Sequence, residues 1–176
     1  MLIKYKCVAT NKTEEITVSR KCRKCGLCGN FGTLKNMVVE QNTIQDKHGN
    51  KIVLGKNLTC GNHGIYAARC KICQGLYVGQ TINKFSTRWN AHRKKWLNLC
   101  TGKDEIKEGN DEAALYKHYK TKHTEIKLDR LPIAEAYDVL FLEEPSFKQL
   151  DIRESYWIAR LQANINVAAT ILPKFW

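Results

Sequence analysis

The sequence contains no run of about eighteen uncharged apolar residues, the least that crosses a bilayer as a helix, so no membrane-spanning segment is expected. Its first ten residues, MLIKYKCVAT, carry lysines at 4 and 6 where a secretory signal needs an unbroken apolar core, and none is expected there. No internal repeat and no low-complexity tract occurs. Acidic side chains are in short supply: 17 Asp and Glu stand against 29 Lys and Arg among 176 residues, a formal net charge of +12. The rest is ordinary for a globular chain, 43% apolar and 26% charged, which is enough to bury a core and excludes disorder throughout. The length suits one domain, or one domain with a small appendage.

The positive surplus is uneven. Residues 1–63 and residues 64–123 each carry +7, whereas residues 124–176 carry −2. Charge of that size attracts a polyanion, nucleic acid being the commonest, although a merely solubilising surface has the same arithmetic.

Eight cysteines could form four disulfides, but their spacing is of another kind. Cys22, Cys25 and Cys28 stand as C-x2-C-x2-C, Cys70 and Cys73 as C-x2-C, and Cys60 lies alone between the groups. A two-residue gap lets a tight knuckle aim two thiolates at one tetrahedral ion, which points to zinc and a reducing compartment, cytosol or nucleus.

Residues 1–60 read as a basic, cysteine-containing, β-rich linker, and residues 61–176 as a second unit. In the first, Ile3–Val8 and Glu15–Ser19 alternate as a hairpin or edge strands, and NMVVEQNTIQ and KIVLG flank the turn DKHGN as a second hairpin. In the second, GIYAARC and LYVGQT read as two strands closed by KICQG. From Asn83 to Leu99 the pattern turns helical, with Phe85, Arg88, Trp89, His92 and Trp96 at spacings of three and four. A second helix is expected from Asp111, as its cap, to Lys120. A strand follows Pro132, and Ser146 is expected to cap a third helix on which Leu150, Glu154, Trp157 and Leu161 share a face.

Within this frame GIY at 64–66, ten residues, YVG at 77–79, Arg88 and His92 on the next helix, then Glu154 and Asn166, resemble the GIY-YIG endonuclease family over residues 64–168. Val78 for the usual Ile is the one departure in the signature. The resemblance implies an α/β (α+β) fold with a small antiparallel three-stranded sheet flanked by helices, here preceded by a zinc-binding β-rich linker. It also implies the chemistry. Hydrolysing a phosphodiester needs a positioned water, an acceptor for its proton, a cation beside the non-bridging oxygens and help for the departing oxygen. Tyr66 would help deprotonate the water, and Tyr77 would orient water or phosphate. Arg88 offers a planar fork for phosphate, and His92, one turn along, could relay a proton. Glu154 would hold one divalent ion, Mg²⁺ or Mn²⁺, and Asn166 would close the site beside it. Gly79 would let DNA approach the strand closely. Singly, each has a duller reading: strand tyrosines as core aromatics, Arg88 and His92 as a solvated pair, Glu154 as a surface partner of Arg153.

Downstream, His118 and His123 complete a Cys₂His₂ set with Cys70 and Cys73, which would clamp the strand pair to the second helix. A C-x2-C between the two motifs, with paired histidines after the first helix and clustered upstream cysteines, resembles the endonuclease domain of Penelope-like retroelements. Cys22, Cys25, Cys28 and Cys60 are then read as a second zinc site, with His63 able to replace Cys22 or Cys60; Cys7 and Cys100 are read as buried free thiols. Both zinc ions would be structural, because a closed four-ligand shell leaves no place for substrate.

The resemblance implies a nuclear nuclease that nicks target DNA to prime reverse transcription. Its partners would be the target duplex, the retroelement's RNA and a reverse transcriptase domain in the same parent polypeptide, of which this chain would be an excised C-terminal part; no membrane partner is expected. Three readings compete with it: a free-standing homing or repair nuclease of the same fold, a zinc module that binds nucleic acid without cutting, and a zinc module that binds protein.

Overall fold

The computed structural model describes residues 2–6, 13–20, 27, 32–34, 37–39, 43–46, 48–53, 58–106 and 113–166. In chain order the strands are β1 (Leu2–Lys6), β2 (Thr13–Arg20), β3 (Gly32–Leu34), β4 (Met37–Val39), β5 (Thr43–Gln45), β6 (Lys51–Val53), β7 (Gly64–Cys70), β8 (Leu76–Thr81) and β9 (Tyr137–Glu143). The helices are α1 (Phe85–Cys100), α2 (Ala114–Lys122), the single turn α3 (Ile133–Ala136) and α4 (Leu150–Leu161). The chain is thus mixed α/β.

Among the described residues, three antiparallel sheets form. Upstream, β1 and β2 make the expected hairpin, and β2 continues through β4 to β3. The strands β5 and β6 pair around Asp46, whose carboxylate accepts from the backbone N–H groups of His48 and Asn50, while Met37–Val39, expected in the same arm as β5, stands as β4 in the first sheet. The third sheet has the order β8-β7-β9, all antiparallel.

The central strand β7 is paired along both edges and buried on both faces, and its side chains sort with a period of two. Tyr66, Ala68 and Cys70 join the apolar cluster under α1 and α2, with Trp89, Trp96, Leu115 and Tyr119. Ile65 and Ala67 join Val78, Leu140, Trp157 and Leu161 beneath α4. The upstream region shares both clusters: Leu27 packs in the first, and Ile44 with Ile52 in the second. Trp157 is 5% exposed, and truncating it to Ala would cost about 3–5 kcal/mol.

Three local expectations are corrected. The second helix starts at Ala114 rather than 111, with Asp111 outside the described residues. Ser146 does not cap α4: its hydroxyl donates to Gln149 Oε1 at 2.9 Å, and the turn Phe147–Gln149 intervenes before the helix. Cys100 is half-buried rather than buried, its thiol donating to the Leu128 carbonyl at 3.2 Å.

Residues 58–63 fasten the linker to α1. Lys84 at the start of α1 makes no side-chain cap, and the free N–H groups of Phe85 and Ser86 donate instead to the carbonyls of Asn62 (2.8 Å) and Cys60 (3.0 Å). Asn62 Nδ2 in turn donates to Glu144 Oε2 at 3.0 Å, and His63 Nδ1 lies 3.0 Å from Glu144 Oε1.

Candidate functional site

Two groups of chemically active side chains lie on the three-stranded sheet. The first is built where β7 and β8 face α1. In the β7–β8 register Tyr66 opposes Gly79 and Ala68 opposes Tyr77, so both phenols project to the α1 face two residues apart; their ring centroids are 6.2 Å apart. On α1, Arg88 and His92 are one turn apart and reach the same phenol. Arg88 Nε donates to the Tyr66 hydroxyl at 3.2 Å, and His92 Nε2 lies 2.6 Å from it. The His92 ring also meets Tyr77 edge-on at 5.8 Å.

The electrostatics follow from depth. Burial pushes the Tyr66 hydroxyl up to about 12 despite the opposing pull of Arg88, and the charge of Glu154 pushes the same way as burial. Burial, with the Arg88 charge, pushes His92 down to about 3, so its imidazole is neutral at neutral pH. Burial works against the Arg88 charge, but the facing phenols of Tyr66 and Tyr77 more than offset it, and the guanidinium stays charged. Since Arg88 can only donate, the Tyr66 hydrogen is best used toward His92 Nε2, with that imidazole protonated on Nδ1.

Glu154 is half-buried on α4, the helix against the other face of the sheet. Gln80, at the end of β8, links it to a carboxylate that sequence reading missed. The Gln80 Nε2 group donates to Glu154 Oε2 at 3.0 Å and to Asp151 Oδ1 at 2.5 Å, so the two acids converge on one amide nitrogen. Positions 151 and 154 are spaced to share a helix flank, which was the available signal. Arg153 forms a bidentate pair with Glu143, at 2.5 and 2.6 Å.

Asn166 sits at the outer edge of β8. It accepts from Val78 N–H at 2.9 Å and donates to the Val78 carbonyl at 2.7 Å, continuing the ladder as a strand would. Its amide therefore holds the strand that carries Tyr77. Gly79 is buried, and the space its missing side chain leaves is filled by the Tyr66 ring, so the expected open approach at that backbone is corrected.

The second group is the Cys/His set. The tight turn after β7, with Gln74 at φ +61°, points Cys70 and Cys73 toward the end of α2. There Cys70 Sγ lies 3.5 Å from His123 Nε2, and Cys73 Sγ lies 3.3 Å from His118 Nε2. All four ligand atoms fall within 4.8 Å of one another, so the set can hold a metal ion and is consistent with tetrahedral zinc. Gly75 N–H donates to Cys73 Sγ at 3.4 Å, which would favour a thiolate there. Burial and the neighbouring Cys70 raise the Cys73 thiol, while burial, His123 and Lys122 lower His118. Like charges so gathered oppose their own ionisation, and a cation between them removes that cost.

Of the second proposed metal set, Cys22, Cys25 and Cys28 lie outside the described residues, as does Cys7. Cys60 is half-buried, and His63 is engaged by Glu144 and packs 4.6 Å from the Phe147 ring.

Comparison with protein-family models, with curated proteins and with solved structures finds no match.

Proposed function

We propose that this chain is a metal-dependent DNA endonuclease domain of the GIY-YIG kind, most similar in its zinc ligands to that of Penelope-like retroelements, nicking target DNA to prime reverse transcription. The observation that carries the reading is the single hydroxyl of Tyr66 held between Arg88 Nε at 3.2 Å and His92 Nε2 at 2.6 Å. A buried core tyrosine needs one partner for its hydroxyl; this one faces a charged donor and a neutral acceptor at once.

The residues divide the work of hydrolysis. Tyr66 accepts a proton from the attacking water as its own passes to His92 Nε2, and Arg88 stabilises the negative charge that gathers on the phenol oxygen. His92 is neutral in the fold and holds a proton poorly, so it relays that proton onward rather than keeping it. Tyr77 and Arg88 orient the phosphate. Two carboxylates converging on one amide nitrogen are hard oxygen donors of the kind Mg²⁺ and Mn²⁺ select, and Glu154 with Asp151 would hold such an ion. When bound, it supplies positive charge beside the non-bridging oxygens. Zinc on Cys70, Cys73, His118 and His123 would hold the β7–β8 turn against α2 and so keep both phenols in place. Nuclear localisation, and partnership with an RNA and a reverse transcriptase, belong to this same proposal.

A plasmid-nicking assay with and without Mg²⁺ or Mn²⁺, beside zinc quantification, tests it. Nicked circles that need the divalent ion, from protein carrying at least one zinc, are expected. Zinc without nicking would move the chain to a binding module that does not cut.

A further inference from the structure

A second surface lies on the other flank of α1. A cavity of about 600 Å³ opens between α1 and the segment that runs from Leu128 to α3. At about 100° per residue, Leu97 on its wall stands half a turn around the helix axis from Arg88, so this is not the phenol site. Its floor is apolar: the buried Trp96 and Ile133 and the half-buried Leu131. Leu97 is 60% exposed, uncommon for a leucine on the helix that carries much of the core. Arg93, Lys94 and Arg130 also line the opening. Asp129 is the single acid there, and it meets Arg130 at 3.8 Å with both side chains in solvent, where such a contact is worth little.

We propose that this groove binds unpaired nucleotides of a nucleic-acid strand, the phosphates on Arg93, Lys94 and Arg130 and an unstacked base against the apolar floor. For its class of ligand the proposal rests on the nuclease reading. Charge complementarity selects a polyanion, and shape selects a single strand. A duplex shows a protein its phosphates and groove edges while its base faces stay stacked, so it can use the cations but not a sunken apolar floor. A single strand can use both, as strand-binding proteins do with a basic groove and an aromatic platform. The volume falls within the range that encloses a small ligand. A nuclease that opens the duplex beside its cut would hold the freed strand here.

The test uses the full chain, zinc-loaded, with Glu154→Gln to prevent cutting. The probes are an oligothymidylate of about twelve nucleotides, within the span of known strand-binding sites, a blunt duplex of the same length, and an acidic amphipathic peptide. Half-buried Cys100 lines the cavity and serves as reporter through its rate of alkylation, read by mass spectrometry of its own peptide. The single strand is expected to slow Cys100 alkylation at least about fivefold. Arg93→Glu with Arg130→Glu is expected to weaken the single strand at least about tenfold and the duplex less than about threefold, zinc content being unchanged; if that variant loses zinc, Leu97→Glu takes its place with the same expectation. Strand binding that leaves Cys100 labelling unaltered overturns the proposal, as does equal weakening of both probes. Protection by the peptide alone would give the groove to a protein. Failure of wild-type plasmid nicking with strand protection intact would remove the nuclease reading and leave the groove standing.

Discussion

The ring of Tyr66 lies over Gly79, its partner across β7 and β8: a β carbon on Gly79 would stand 2.6 Å from the Tyr66 hydroxyl oxygen and 2.7 Å from the ring carbon that bears it. The glycine is a seat for the phenol. Gly64, at the start of β7, answers to backbone instead. With φ at +126°, its β carbon would stand 2.2 Å from the Glu143 carbonyl oxygen, beside the register shift between β7 and β9. Gly79→Ala should therefore displace Tyr66, costing about 1–3 kcal/mol by overpacking and at least tenfold in nicking. Gly64→Ala should destabilise more, since neither the φ nor the carbonyl can yield cheaply. Urea midpoints of the two variants check the order, and a Gly64→Ala midpoint above that of Gly79→Ala would contradict it.

His92 makes stability sensitive to acid. Its folded value is pushed down to about 3 against an ordinary 6.5, so above 6.5 both folded and unfolded chains hold it neutral and it contributes no slope. As the pH falls from about 6.5 toward 3, the unfolded chain takes up a proton that the folded chain refuses, and stability drops by about 1.4 kcal/mol per unit. Replacing it with Gln, which still accepts from Tyr66, should flatten that part of the stability-pH curve. Identical curves for the two proteins would mean that the imidazole is protonated in the fold.

Removing the Cys/His ion should loosen the chain, because the set joins a turn to a helix end 45 residues further on. Cys73→Ser or His118→Ala is expected to lose one equivalent of zinc and to lower the melting temperature, and a strong chelator should do the same to wild-type protein. Full zinc content together with an unchanged melt in either variant would show that these residues are not ligands.

Glu154→Gln should lower nicking at least a hundredfold, about 2.7 kcal/mol of barrier, while changing stability by less than about 0.5 kcal/mol. The half-buried carboxylate accepts from Gln80 Nε2, and an amide of the same shape can take its place there. Asp151→Asn should retain more rate and need more Mg²⁺ for half-maximal nicking. Calorimetric Mn²⁺ titration of both variants separates a lost ligand from a lost fold.

The strands β7 and β8, and the spacing of three and four along α1, were legible in the sequence because each follows from local residue preference and backbone geometry. The Cys/His set was legible for a different reason: thiolates and imidazoles at short spacings have few uses besides a metal. What escaped depends on pairs distant along the chain. Gln80 meets Asp151 and Glu154 more than seventy residues away, and Asn62 meets Glu144 across 82. The role of Gly79 needed the register of its neighbour strand, and Asn166 needed the exposed edge of β8. Ser146 failed as a cap because the turn Phe147–Gln149 stands between it and the first residue of α4.

The helix that bears Arg88 and His92 begins, in hydrogen-bonding terms, outside itself, since its first two amides rest on the carbonyls of residues 60 and 62. Residues 60 and 62 thereby bear directly on the helix whose Arg88 and His92 hold the Tyr66 hydroxyl. A fragment trimmed at the GIY tripeptide would leave that helix end bare, and the shortest useful fragment begins before Thr59.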